Sequence, residues 1–240
     1  MARALVAAGL LAAALSGCAA TDDPAAGKPL TLVLLKTGPR SGALSQEETK
    51  ELFAGHFANM GRLAEERQLL LAGPFGKPRH DESLRGLFIL DTGDPARARE
   101  LAETDPTAKA GVFTLEYHAL STDAPLHALL ERVLAAEAEA KAAGTERSPG
   151  EGVRNYVLLT AEDGARAEPL LAPLLGSGNG RVLLLGRLDG TKAFAILDAT
   201  DPDLARAALG DVTTFIGPHV LDGWYATSEL TALPTLADRD

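Results

Sequence analysis

The sequence predicts an α+β protein built from two tandem copies of one βαββαβ unit. The first observation is an internal repeat: segments 87–95 and 194–202 share Ile-Leu-Asp and Asp-Pro, and an Ala-Arg pair follows each at the same distance. The second observation is that two more pairs of similar apolar segments precede this pair in the same order: 69–73 with 182–186, and 32–35 with 157–160. Matches that keep one order along the chain indicate a duplicated structural unit.

The elements of the first copy follow from local patterns. Apolar runs of strand length and one alternating segment predict four strands, at 32–36, 69–72, 87–91 and 112–118. Ser45 and Glu48 form a capping box that begins a helix ending near Arg67. Asp94 followed by Pro95 begins the second helix. Strand, helix, strand, strand, helix, strand is the order of the ferredoxin-like fold, so we expect two tandem ferredoxin-like domains.

The two copies and the segment between them divide the chain into a first domain over 30–121, a helix and linker over 122–152, and a second domain over 153–236. The connecting helix begins after Asp123-Ala-Pro, is rich in Ala and Glu, and ends at Gly144. Its apolar residues recur at helical spacing. This pattern is typical of a helix that packs as a bridge and carries no chemistry.

The N-terminal residues are typical of an export signal. Segment 1–17 has a basic residue, a short apolar run and small residues before Cys18, which predicts a signal peptide. The apolar run is shorter than the roughly 20 residues of a membrane span. The Leu-Ser-Gly-Cys sequence resembles the bacterial lipobox, which predicts a lipoprotein lipidated on Cys18. The alternative is an ordinary signal peptide with an incidental cysteine.

Lipidation would anchor the chain to a membrane, because each buried methylene contributes about 0.8 kcal/mol. Segment 18–29 then acts as a short polar tether. Ala19 stands where lipoproteins retained at the inner membrane commonly carry Asp. The predicted location is therefore the cell envelope, at the periplasmic face of the outer membrane if the source is diderm.

Composition and motifs argue against several other classes of function. The chain has 33 acidic and 23 basic residues, a net charge of −10 and few aromatic residues, so we expect no nucleic-acid partner. One cysteine excludes an internal disulfide, and the five histidines are scattered, so no metal site is predicted. Segment 176–180 lacks the Lys and Ser/Thr of a phosphate loop, and no Gly-x-Ser-x-Gly motif occurs. No cofactor is expected.

Three patches occur in order in the first copy: Gly55-His56-Phe57, Ala72-Gly73-Pro74-Phe75, and Thr104-Asp105-Pro106 followed by Ala110-Gly111-Val112-Phe113. Together these patches resemble the YCII-related family. The resemblance covers about 30–120. It implies a dimeric α+β barrel, in which two ferredoxin-like sheets pair face to face. With two copies in one chain, the pair would form within the chain as a pseudo-dimer.

The resemblance also implies a site made of a His on the first helix and an Asp in the Asp-Pro element. These map onto His56 and Asp105. The second copy departs from the pattern, because segment 162–176 contains no His and Gly210-Asp-Val lacks the Pro. We therefore expect a degenerate second domain without a site of its own.

The chemistry expected of His56 depends on where it faces. It belongs to an apolar stripe at helical spacing that predicts the sheet-facing side of the first helix: Leu52, Phe53, His56, Phe57, Met60, Leu63 and Ala64. An imidazole oriented there by a carboxylate is a competent general acid/base. The alternative is a core His that only ties the helix to a loop. Asp105 has a competing role too, as the start of a turn or helix cap.

A small-molecule ligand is the expected partner. Gly73, Pro74 and Phe75 predict a pocket wall or, equally, a strand-end turn. Lys36 and Arg40 would attract an anionic substrate or serve only as solvated charges. The resemblance implies a lyase or isomerase acting on a small, partly apolar molecule without a cofactor. The competing class is a non-enzymatic binding or envelope-scaffold lipoprotein with a relic site.

Overall fold

The computed structural model describes residues 27–145, 152–176 and 178–236. The predicted signal peptide 1–17, Cys18 and most of the predicted tether lie outside the described residues. So does most of the linker between the two copies, 146–151. No helix of the described residues is long and apolar enough to cross a membrane.

The described chain alternates strands and helices in the predicted order. The strands are β1 Lys28–Thr37, β2 Leu69–Pro74, β3 Leu84–Leu90, β4 Phe113–Thr122, β5 Val153–Ala161, β6 Val182–Leu188, β7 Lys192–Leu197 and β8 His219–Thr227. The helices are α1 Gln46–Glu65, α2 Pro95–Ala102, α3 Pro106–Lys109, α4 Leu126–Ala142, α5 Gly164–Leu171, α6 Pro202–Leu209 and α7 Val212–Phe215. Two 3₁₀ segments, Ala172–Leu174 and Ser228–Thr235, follow α5 and β8.

The eight strands form one antiparallel sheet in the order β2-β3-β1-β4-β6-β7-β5-β8. Each half of this order is the order of a ferredoxin-like βαββαβ unit. The α+β class and the ferredoxin-like topology predicted from the sequence are therefore confirmed. The halves join through a short pairing of β4 with β6, at Leu120 with Leu188 and Ser121 with Arg187.

The two outer strands, β2 and β8, also contact each other. Phe75 and Trp224 form an isolated antiparallel bridge. The Trp224 indole Nε1–H donates to the Gly73 carbonyl at 3.0 Å, and the Gly76 N–H donates to the Gly223 carbonyl at 2.7 Å. Both edges of each four-stranded half thus meet the other half.

Glycines permit both of these junctions. A Cβ on Gly73 would lie 1.9 Å from the Tyr225 carbonyl oxygen, and one on Gly186 would lie 2.7 Å from the Ser121 carbonyl oxygen. Only glycine lets backbones approach so closely. The two glycines end the matched segments 69–73 and 182–186, so the duplication preserved the junction residue in each copy.

Alternation along the strands divides the core into layers. On β1, Leu32 belongs to the cluster between the two halves, whereas Val33 and Leu35 belong to the cluster beneath the first-half helices. Successive side chains of a strand point to opposite faces, which explains the division. The α4 residues Leu126 and Leu129 join the cluster between the halves, as the bridging prediction required.

Several local predictions differ from the structure. The first helix ends at Glu65, because Arg67 adopts a left-handed conformation with φ of 56°. Phe57 was predicted to belong to the sheet-facing stripe of this helix, but it is 63% exposed. The connecting helix, by contrast, begins at Leu126 directly after Pro125, as predicted, although no side chain caps it. The four-residue helices α3 and α7 were not predicted as elements, although Asp105 was considered as a helix cap.

Candidate functional site

The site begins where α1 meets α3. Gly55 faces Pro106, and a Cβ on Gly55 would lie 3.1 Å from the Pro106 Cγ, tighter than ordinary van der Waals contact. This close packing brings the N-terminal end of α3 against the next residue of α1, His56. The motif Gly-His-Phe therefore has a physical reason, since its glycine makes room for the segment that carries Asp105.

His56 and Asp105 form a buried pair. His56 Nδ1 lies 2.5 Å from Asp105 Oδ2, and the two residues are 7% and 1% exposed. An ionised carboxylate only accepts hydrogen bonds, so the Nδ1–H donates and the neutral ring keeps its lone pair on Nε2. Among the described residues, Nε2 has no protein hydrogen-bond partner.

Asp105 combines the two roles that the sequence left as alternatives. Its Oδ1 accepts from the Thr107 backbone N–H at 2.8 Å and from the Thr107 hydroxyl at 2.5 Å, which makes Asp105 the N-cap of α3. Its Oδ2 remains for His56. The cap thus fixes the carboxylate in the orientation that holds the imidazole.

The environment keeps this carboxylate ionised. Burial is the largest single influence and raises the pKa of Asp105, but the hydrogen bonds from His56 and Thr107 together lower it below its ordinary value. Asp105 therefore stays negatively charged at neutral pH, and it stabilises a positive charge that forms on the imidazole.

Phenylalanines surround the imidazole. Four ring centroids lie 5.4–5.9 Å from that of His56: Phe53, Phe57, Phe88 and Phe113. Phe88 stacks on it with an interplanar angle of 23°, and the other three meet it edge-on. Sequence reasoning did not assign Phe88 to the site, because its pairing with the buried β1 residue Val33 is set only in the folded sheet.

A cavity of about 410 Å³ lies beside the ring. His56 borders it, and Gly73 and Pro74 form part of its wall. Phe75 does not line it. Its buried side chain lies at the β2–β8 junction instead, because alternation along the chain turns it to the other face of the sheet. The strand-end turn considered for these residues is absent, since β2 continues to Pro74.

The two basic residues considered for an anionic substrate behave differently. Lys36 pairs with Asp81 at 3.0 Å and with Glu116 at 3.3 Å, and it does not line the cavity. Arg40 lines it. A further arginine, Arg85 on β3, also borders the cavity, and sequence reasoning did not single it out.

Other histidines also meet distant carboxylates, which their spacing in the sequence did not reveal. His80 binds Asp222 at 2.7 Å, and His127 Nε2 lies 2.8 Å from Asp91. Neither lines the cavity beside His56. Within the same part of the chain, no group of three His, Cys, Asp or Glu side chains is arranged to hold a metal ion.

The second half has no counterpart of the pair. Its only histidine, His219, donates to or accepts from no carboxylate among the described residues, and its Nδ1 lies 2.9 Å from the Gly217 carbonyl oxygen. On β6, Arg187 forms a two-pronged ion pair with Glu168 at 2.6 and 2.9 Å. His219, Arg187 and Glu168 therefore do not form a histidine–carboxylate pair like that of His56 and Asp105.

Comparison with known families identifies the first half. Residues 30–120 match the family model of the YCII-related domain, so the chain contains a YCII-related domain, as its motifs predicted. No curated protein and no solved structure matches the chain significantly.

Proposed function

We propose that the YCII-related domain catalyses a cofactor-independent proton transfer on a small, partly apolar molecule, with His56 as general acid/base. One observation carries the proposal: the imidazole is held by a buried carboxylate at Nδ1, and the ring borders an apolar cavity. A structural histidine needs no cavity beside it, whereas a base must reach its substrate.

In the proposed reaction, the Nε2 lone pair of neutral His56 accepts a proton from a C–H bond next to a carbonyl group. Asp105 remains ionised and stabilises the resulting imidazolium. In an isomerase, the same imidazolium returns the proton to another atom of the substrate. In a lyase, the electron pair of the broken C–H bond forms a double bond and expels a leaving group, which takes the proton. Such acid/base catalysis contributes about 10²–10⁴-fold in rate.

We also infer that the two halves are the intrachain equivalent of a dimeric α+β barrel. This is supported by the strand order, by the β4–β6 pairing and by the contact of β2 with β8. The core cluster that mixes Leu32 with Leu184 also supports it, because these residues come from different halves. In this arrangement the second half buries the open face of the first.

The cellular setting is a further proposal. We infer an exported lipoprotein anchored through Cys18, on the evidence of the N-terminal sequence. Mass spectrometry of the mature protein tests it. A diacylated N-terminal cysteine supports the anchor, and an unmodified N-terminus at any other residue contradicts it.

Exchange of carbon-bound protons tests the catalytic proposal. The protein is incubated in D₂O with a panel of carbon acids that runs from phenylacetone to phenylpyruvate, and deuterium incorporation is followed by NMR. We expect at least one compound to exchange about 100-fold faster than in buffer, and His56→Gln to remove the acceleration. His127→Gln is the matched control, since His127 also meets an aspartate but lies away from the cavity.

If no compound exchanges faster than in buffer, or if His56→Gln exchanges as fast as the wild type, the catalytic assignment is wrong. Retained binding without exchange would then favour the non-enzymatic binding protein.

A further inference from the structure

The cavity beside His56 differs in charge from other cavities of the molecule. Three other cavities among the described residues each include at least one acidic side chain: Glu168, Glu65 and Glu103, respectively. The His56 cavity includes two arginines, Arg40 and Arg85, and no Asp or Glu. In a chain with a net charge of −10, this separation of charge favours an anion inside this cavity.

Arg85 is the deeper of the two arginines. It is half-buried on β3, and its Nη1–H groups donate to the backbone carbonyls of Glu82 and Leu84, both at 2.9 Å. No carboxylate of the described residues lies within ion-pair distance of it. An arginine carries five N–H donors in a planar fork, so carbonyl bonds at one nitrogen leave donors for a ligand.

Arg40 lies at the mouth of the cavity, and the backbone fixes its position. Its N–H donates to the Gly111 carbonyl at 2.9 Å, and its side-chain stem lies over the same glycine, 3.6 Å from where a Cβ would stand. No carboxylate of the described residues lies within ion-pair distance of Arg40, and the Glu48 carboxylate is held by the Ser45 hydroxyl at 2.7 Å and the Ser45 N–H at 2.8 Å. The guanidinium of Arg40 therefore remains available.

The rest of the wall is apolar and aromatic. Phe53, Phe57, Phe88 and Phe113 line the same cavity as the two arginines. Phe57 is exposed, yet its ring centroid is 5.4 Å from that of His56, so it stands at the opening next to the imidazole. An apolar ligand body contacts these rings while its charge reaches an arginine.

We propose that the cavity binds a small carboxylate with an aromatic-sized apolar body, its carboxylate on Arg85 and Arg40 and its body among the phenylalanines beside His56. This inference rests on the proposed function, since it names the substrate class of the same site. The arginines give orientation, because a carboxylate held by them presents the adjoining carbon to His56.

Binding of a matched pair of probes tests the inference. Phenylacetate and its neutral amide, phenylacetamide, have the same shape and differ in charge. Their affinities for the whole protein are measured by titration calorimetry, and the site is located by NMR shifts of the arginine and histidine side chains. We expect phenylacetate to bind about ten-fold more tightly than phenylacetamide.

Three variants separate the contributions. We expect Arg85→Gln to weaken phenylacetate binding about ten-fold and Arg40→Gln to weaken it less, because Arg40 is exposed and more strongly screened by salt. Both substitutions should weaken the binding of phenylacetamide less than that of phenylacetate, because the amide carbonyl accepts only a neutral-acceptor hydrogen bond. Arg206→Gln is the control, because Arg206 pairs with Asp203 on α6 and does not line the cavity. We expect this variant to bind phenylacetate as tightly as the wild type.

The inference is overturned if acid and amide bind equally, if neither binds, or if Arg85→Gln leaves phenylacetate binding unchanged. These failures are distinguishable from failure of the proposed function by means of His56→Gln. That variant should bind phenylacetate while losing proton exchange. Loss of the acid preference with exchange intact would refute only the ligand class, and normal acid binding without any exchange in the wild type would refute only the catalysis.

Discussion

Asp105→Asn separates the two roles of Asp105. The amide oxygen takes the place of Oδ1 and still accepts from the backbone and the hydroxyl of Thr107, so the cap of α3 is retained. The amide nitrogen takes the place of Oδ2 and faces His56 Nδ1, 2.5 Å away in the native pair. Two N–H donors cannot share one bond, so the ring moves its proton to Nε2 and Nδ1 becomes the acceptor.

The expected cost to stability is small and the expected cost to activity is large. A neutral hydrogen bond replaces a charge-assisted one, which lowers the free energy of unfolding by about 1 kcal/mol. Asp105→Ala also loses the cap and leaves Thr107 unpaired, and we expect it to cost about 3 kcal/mol. Because Asp105→Asn leaves Nε2 protonated in the neutral ring, proton exchange should fall by about 10²–10⁴-fold.

Urea unfolding followed by Trp224 fluorescence measures the stability, since this is the only tryptophan and it is buried. NMR of ¹⁵N-labelled histidine gives the position of the ring proton. The reasoning is refuted if Nε2 already carries the proton in the neutral wild-type ring, or if Asp105→Asn leaves both tautomer and exchange unchanged.

Three further outcomes are expected. Gly73→Ala should lower the free energy of unfolding by about 2 kcal/mol, because its Cβ would meet the Tyr225 carbonyl at 1.9 Å. The control is Gly61→Ala, at an exposed helical position with open space around it, which should raise the free energy of unfolding by about 0.5–1 kcal/mol. Urea titration measures both changes. Folding lowers the pKa of Asp105. The wild type should therefore have a higher free energy of unfolding than Asp105→Asn above the ordinary aspartate pKa of about 3.9, and this difference should disappear as the pH falls further. A difference that grows in acid contradicts the prediction. Thr107→Val removes the hydroxyl bond to the carboxylate, so the pKa of Asp105 should rise, and ¹³C NMR of the carboxyl carbon would detect the change.

Much of the fold could be predicted because it depends on local signals. The capping box of Ser45 and Glu48 forms with both of its hydrogen bonds, and Asp94 caps α2. The duplication predicted a second unit with the same strand order. Phe57 was misassigned because helical periodicity identifies a face but not how far the sheet beneath it extends.

The junctions between halves could not be predicted from local patterns. The Trp224 indole meets the Gly73 carbonyl across 151 residues, and only the folded chain relates the two. The motif glycine was interpreted as a pocket wall, yet its more demanding role is the close approach to Tyr225.

The candidate site was located through the family resemblance and not through spacing. His56 and Asp105 are 49 residues apart, and the helix that presents Asp105 has only four residues, too few for a periodic pattern. Arg85 was missed because one charged residue at the start of a strand is ordinary in sequence. Its importance comes from the absence of acids around the cavity among the described residues.

Chemical rescue tests the central claim most directly, which is that His56 supplies the base beside the cavity. In His56→Ala, exchange of the best compound from the carbon-acid panel should be lost, with folding checked by circular dichroism. Added imidazole should restore exchange in proportion to its neutral form, because it supplies the missing lone pair in the space left by the side chain. A His56→Ala protein that folds and exchanges protons as fast as the wild type without imidazole would contradict the claim.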